Sequence, residues 1–135
     1  MLEENEIFRS EAFRESNQVE NALASRDAVF RFCSFDAADL EGGGSDGVFL
    51  SCEFRDLDLY WAFFNQALFA NCKFERCTFR GTSFSGCRFM ECTFNECQFL
   101  NDNLGSPCKA ENTKLFSCVI QNCEGWDKVF TDRLP

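Results

Sequence analysis

The sequence predicts a repeat fold in which the chain turns at regular intervals as it advances, and three observations predict it. From Phe49 to Leu104 every fifth residue is large and apolar: Phe49, Phe54, Leu59, Phe64, Phe69, Phe74, Phe79, Phe84, Phe89, Phe94, Phe99 and Leu104. A period of five fits neither the 3.6 of a helix nor the 2 of a flat strand. Two residues before each of these stands a second, mostly small series: Gly47, Cys52, Leu57, Ala62, Ala67, Cys72, Cys77, Thr82, Cys87, Cys92, Cys97 and Asp102. All ten cysteines of the 135-residue chain share that one position, which marks a true internal repeat.

The frame extends in both directions. Upstream, Phe30, Phe35 and Leu40 are preceded at minus two by Ala28, Cys33 and Ala38. Downstream, after a one-residue slip at Gly105-Ser106-Pro107, the residues Ala110, Leu115, Ile120 and Gly125 follow Cys108, Thr113, Cys118 and Cys123. Segments such as Cys72-Lys73-Phe74-Glu75-Arg76 and Cys92-Thr93-Phe94-Asn95-Glu96 resemble the unit of the pentapeptide-repeat family: a small residue, a variable one, a Leu or Phe, then two polar ones. The resemblance covers residues 28–127 apart from two interruptions. It implies an all-β fold, a right-handed quadrilateral β-helix of about five coils, with four pentapeptides to a coil and the central Leu or Phe and the small residue pointing inward. Such a solenoid buries a continuous core only by stacking each coil on its neighbours. Burial of the in-frame phenylalanines, each worth about 1.5–3 kcal/mol, offsets the chain entropy that so many turns cost.

Each segment then takes its place. Residues 1–27 carry Ile7, Phe8, Phe13, Val19 and Leu23 among many charges, and Phe8 to Phe13 keeps the five-residue spacing without small residues at minus two. This segment is expected to cap the first coil, as a degenerate coil or as a short helix. Leu40 and Phe49 are nine residues apart, so residues 41–47, Glu41-Gly42-Gly43-Gly44-Ser45-Asp46-Gly47, are expected to bulge from a corner as a flexible loop and a candidate contact element. This stretch lacks the Lys and Ser/Thr of a phosphate-binding loop. Trp126 and the tail 128–135 are expected to cap the other end, or Trp126 and Phe130 to form a homodimer contact, so monomer and homodimer both stay open. The start, Met1-Leu2-Glu3-Glu4-Asn5-Glu6, has neither a basic beginning nor an apolar run, and no segment has the apolar length of a membrane span; a cytoplasmic location with no membrane partner is expected.

The cysteines are read as small core filler in a reducing compartment. Their C-x4-C spacing on a square coil puts successive sulfurs on different walls, and the chain has no histidine to complete a site, so neither metal nor cofactor is expected. With one tyrosine and no grouping of nucleophile, base and orienting residue, the chain does not read as an enzyme. Cys52 and Cys123, beside irregular coils, are the thiols to test for reactivity.

Binding therefore falls to the outward positions. Stacking at 20 residues sets Glu53 over Lys73, Arg55 over Glu75, and Asp56 over Arg76 over Glu96, ladders that support register. A different wall is apolar: Val48 falls beside Leu68, and Leu50, Ala70 and Met90 share a column. Tyr60, Trp61 and Phe63 also fall outside the core positions. Together with Asp46, Asp56 and Asp58 these form the candidate partner-binding set. The net charge is −9, and it is one-sided: residues 1–60 hold 14 acidic and 5 basic residues, residues 61–135 hold 8 of each. Acidity argues against direct nucleic-acid binding. Family members that protect DNA gyrase resemble duplex DNA, a likeness that a half-neutral rod serves poorly. The reading is a non-catalytic protein-binding module, an inhibitor or immunity-type protein occupying a bacterial partner such as a toxin. Gyrase or topoisomerase protection, in which the partner is a DNA-handling enzyme, and a self-assembling structural rod are the alternatives.

Overall fold

Each repeat unit becomes a three-residue strand closed by a left-handed corner, and this is the origin of the period of five. The computed structural model describes residues 6–130. In the unit beginning at Cys72, Lys73–Glu75 is the strand, Phe74 points inward and Arg76 turns the chain with φ +52°. The same corner recurs at Ala37, Ser51, Asp56, Trp61, Gln66, Asn71, Glu91 and Glu96. A non-glycine residue costs about 1–2 kcal/mol in this conformation, so the corners persist because stacking between coils holds them.

Four sides close one coil, and successive coils stack as parallel sheets on four faces. Face A stacks Ile7–Arg9, Val29–Arg31, Val48–Leu50, Leu68–Ala70, Arg88–Met90 and Lys114–Phe116. Face B stacks Ala12–Phe13, Ser34–Asp36, Glu53–Arg55, Lys73–Glu75, Thr93–Asn95 and Val119–Gln121. Face C stacks Asp39–Glu41, Asp58–Tyr60, Thr78–Arg80 and Gln98–Leu100. Face D stacks Gly44–Ser45, Phe63–Asn65, Ser83–Ser85 and Lys109–Glu111. The fold is the all-β, stacked-coil β-helix that the repeat implied.

The core consists of ring ladders. On face A, Phe30, Phe49, Phe69 and Phe89 stack at centroid separations of 4.7–4.8 Å; on face B, Phe35, Phe54, Phe74 and Phe94 stack at 4.6–4.9 Å. Between the ladders rings meet edge to face, as Phe49 does Phe54 at 5.4 Å, so both favourable aromatic geometries are used. The small position fills the space beside them and bonds to the coil below. The thiols of Cys72, Cys92 and Cys97 donate to the carbonyl oxygens of Phe49, Phe69 and Phe74, each at 3.3 Å, and the Thr82 hydroxyl donates to that of Leu59 at 3.4 Å. The position thus takes a mostly small side chain, and where that is Cys or Thr it adds a bond to the coil below.

The two interruptions exchange roles. Residues 41–47 do not bulge: Gly44–Ser45 is the first strand of face D, with Gly44 opposite Phe63 and Ser45 opposite Phe64, and Ser45 is buried. Leu40 to Ser45 keeps the spacing of five and Ser45 to Phe49 has four, so this coil is one residue short. The sequence concealed the strand because its inward residue is a serine. A Cβ on Gly44 would lie 1.7 Å from the Phe63 carbonyl oxygen, so only glycine allows the next coil to close on it. The Ser45 hydroxyl accepts the Gly47 N–H at 3.1 Å and tightens the shortened corner.

The protrusion lies at residues 101–107 instead. Leu104, next in the five-residue series, is 81% exposed, and Ala110 stands opposite Phe84 in its place. The one-residue slip is thus a six-residue insertion.

Both ends are sealed. Phe8 stacks on Phe30 at 4.8 Å and Phe13 on Phe35 at 5.1 Å, making two sides of a first coil. Where the other two sides would run, helix α1, Ser16–Leu23, buries Val19, Ala22 and Leu23. Leu23 lines the same internal space as Leu59 and Phe64. The N-terminal cap is half coil and half helix. At the other end α2, Trp126–Val129, brings Trp126 within 4.9 Å of Phe94 and Phe130 within 5.7 Å of Phe99. Trp126 and Phe130 are buried, which corrects their reading as an exposed dimer contact; the open core end attracts them more strongly than solvent tolerates them. The reading of Met1-Leu2-Glu3-Glu4-Asn5 and the last five residues of the tail lie outside the described residues. Among the described residues, no helix is long and apolar enough to cross a membrane.

Candidate interaction surface

Burial pushes the thiols of Cys77, Cys87, Cys108 and Cys123 up from their ordinary value, away from the nucleophilic thiolate. Cys52 is buried and its thiol donates to the Phe30 carbonyl at 3.4 Å. Among the described residues, no three Cys, Asp or Glu side chains gather as metal ligands.

The outward candidates do not form one surface. Val48, Leu50, Leu68 and Met90 lie on face A. Tyr60 and Asp58 lie on face C, Phe63 on face D, Trp61 at the corner between these two, and Asp56 at the corner between B and C. Faces A and C are opposite walls.

The acids are tied down. Asp56 accepts two hydrogen bonds from Arg76, at 2.8 and 3.3 Å, which hold its carboxyl below its ordinary value. Asp58 faces Arg80 at 3.6 Å, and Asp46 accepts the Asp27 N–H at 3.1 Å. Arg55 pairs with Asp36 of the coil below at 2.8 Å and with Glu53 at 2.9 Å, in place of Glu75.

Tyr60 and Trp61 have a structural duty as well. The Trp61 indole Nε1 donates to Asp102 Oδ2 at 2.8 Å, and the Tyr60 hydroxyl accepts the Asn103 N–H at 2.6 Å. Asp102 Oδ1 accepts the N–H groups of Leu104 and Ser106 at 2.9 and 2.8 Å. These outward aromatics hold the inserted loop against the corner.

Face A remains, and it is broader than the sequence suggested. One outward column runs Ile7, Val29, Val48, Leu68, Arg88 and Lys114; the other runs Arg9, Arg31, Leu50, Ala70, Met90 and Phe116. No strand position of this face carries an acid. Ile7, Met90 and Phe116 are 56%, 41% and 45% exposed, and Phe32, at the adjoining corner with φ +57°, is 63% exposed. The Phe32 amide donates to the Leu50 carbonyl at 3.0 Å, as the regular corners do, while among the described residues its ring meets no other ring. Sequence reasoning missed Ile7, Phe32 and Phe116. Phe116 stands one residue after an inward position, as Met90 does, but the insertion at 101–107 puts it off the 20-residue alignment.

A family model described as pentapeptide repeats, nine copies, matches residues 49–104. No curated protein matches the chain. Among solved structures the chain is similar to a trypsin-treated variant of QnrB1, described as a plasmid-mediated fluoroquinolone resistance protein, at 15% identity and a TM-score of 0.42, covering 88% of this chain and 53% of that one. It is also similar to full-length QnrB1, at 20% identity and a TM-score of 0.39, covering 84% of this chain and 58% of that one. The chain thus spans less than two thirds of the length of either.

Proposed function

Because the chain belongs to the pentapeptide-repeat family, whose core residues are consumed by stacking, we propose that it is a non-catalytic protein-binding module whose contact surface is face A. The observation that carries this reading is the apolar double column of that face, with Ile7, Met90 and Phe116 open to solvent and Phe32 beside them. Exposed apolar surface of this continuity marks an interaction site, and a rigid scaffold spares the ordering cost of association. Such a module acts by occupancy, as an inhibitor or immunity-type protein that holds a partner such as a toxin. A reducing compartment such as the cytoplasm suits its ten thiols.

The test is capture of partners from a lysate of the source cells, read by mass spectrometry. A protein retained by the wild-type chain and by Phe63→Ser, yet lost with the double change Met90→Ser and Phe116→Ser, supports face A. Equal retention by all three sinks it. A partner identified as a topoisomerase, together with protection in a supercoiling assay, would replace the toxin-type reading by the gyrase-protection one.

A further inference from the structure

We infer that face A takes a partner protein surface that is itself acidic as well as apolar; this rests on face A being the contact surface. The chain carries a net charge of −9, yet every charged strand residue of face A is a cation. Arg9 and Arg31 stand next to each other on successive strands at one end of the face, and Arg88 and Lys114 do so at the other. All four are exposed, and none makes an ion pair among the described residues, whereas Arg55 on face B, Arg80 on face C and Arg76 at the corner between them are paired. Among the described residues, acids border the face only at its corners, Glu6, Asp27 and Asp46 on one edge and Glu11 and Glu91 on the other.

Geometry adds spacing. Five strand steps separate Arg9 from Lys114, and three separate Arg31 from Arg88; at about 4.8 Å per step these are about 24 and 14 Å along the face. The complementary surface presents carboxylates at that separation with apolar side chains between them. Complementary charge of this kind governs orientation and partner choice more than total affinity.

The same arrangement disfavours a second copy of this chain. A two-fold contact is self-complementary, and face A laid on face A brings a cationic end of one copy onto a cationic end of the other in either direction: the Arg9–Arg31 end meets its own copy or meets the Arg88–Lys114 end. The occupant is a different protein.

The probes are two synthetic amphipathic helical peptides with the same leucine face, one with glutamates and one with lysines on its polar face, read by fluorescence anisotropy with the whole protein. The acidic peptide is expected to bind at least about tenfold more tightly than the basic one, and to weaken as salt rises. The double reversal Arg31→Glu with Arg88→Glu should invert the preference, with unchanged circular dichroism. Equal binding of both peptides, preference for the basic one, or no binding of either overturns the inference. So does co-sedimentation with phosphatidylserine–phosphatidylcholine vesicles in the absence of peptide binding, or a dimer in sedimentation that Met90→Ser dissolves. If Met90→Ser with Phe116→Ser leaves peptide binding intact, the face A reading itself fails; if that change abolishes binding while the charge reversal is silent, only the acidic partner fails.

Discussion

Trp61 and Asp102, forty-one residues apart in the chain, are joined by a 2.8 Å hydrogen bond from the indole Nε1 to Oδ2 that passes beside the Cα of Gly81. A Cβ on Gly81 would lie 2.9 Å from the Asp102 Cβ and 3.1 Å from Trp61 Cδ1, so the missing side chain opens the path. Three stacked corners thereby form one clasp, and Asp102 spends its second oxygen on the N–H groups of Leu104 and Ser106. The loop of residues 101–107 is held from the coil side and from within.

Replacing Trp61 by Phe keeps the ring and removes the donor. Amide exchange at Leu104 and Ser106 should quicken while that of the face A and B strands stays slow. Unchanged exchange at the two loop amides would show that the loop is held without the indole.

The clasp has a defined pH dependence. The Trp61 N–H, followed by the Ser106 and Leu104 N–H groups, holds the Asp102 carboxyl below its ordinary value. A group depressed in the folded state contributes fully above its unfolded value, about 3.9, and loses that contribution as pH falls through its lower folded value. The Trp61 indole proton resonance should therefore hold steady from pH 7 to about 5 and shift only below about 4. Asp102→Asn should flatten that response; an unaltered titration would assign it to another group.

Gly44 and Gly42 separate steric from conformational demand. Both have positive φ, but a Cβ on Gly42 meets nothing within 4 Å, whereas one on Gly44 meets the Phe63 backbone. Gly42→Ala should cost about 1 kcal/mol in urea unfolding, and Gly44→Ala several times as much, or fail to fold. Equal, small losses would mean that Gly44–Ser45 is not seated against Phe63.

The ladders and the small column respond differently to substitution. Phe69→Ala, in the middle of a ring stack, should cost about 3–5 kcal/mol. Cys92→Thr should change stability little, because Thr82 already makes the equivalent bond to a carbonyl of the coil below, whereas Cys92→Leu should cost about 1–3 kcal/mol by overpacking. A severe loss with threonine would show that the sulfur matters for more than size and donation.

The sequence by itself determined the coil. The five-residue period names each inward residue from Phe49 to Phe99, and the 20-residue stacking puts Leu50, Ala70 and Met90 in one column, because strand, corner and inward pair are all local properties of one unit. It could not say which interruption was a strand and which a loop. Ser45 earns its inward position only by pairing with Phe64, and Leu104 loses its own to Ala110 only because Ala110 pairs with Phe84. Those outcomes depend on hydrogen bonding to a neighbouring coil 19 to 26 residues away. The predicted binding set is likewise divided between walls, with Val48, Leu50, Leu68 and Met90 on face A and Asp58, Tyr60 and Phe63 on faces C and D. Tertiary structure gave Tyr60 and Trp61 to the loop and added Ile7, Phe32 and Phe116 to face A, because register between coils, absent from any single unit, decides which outward side chains become neighbours.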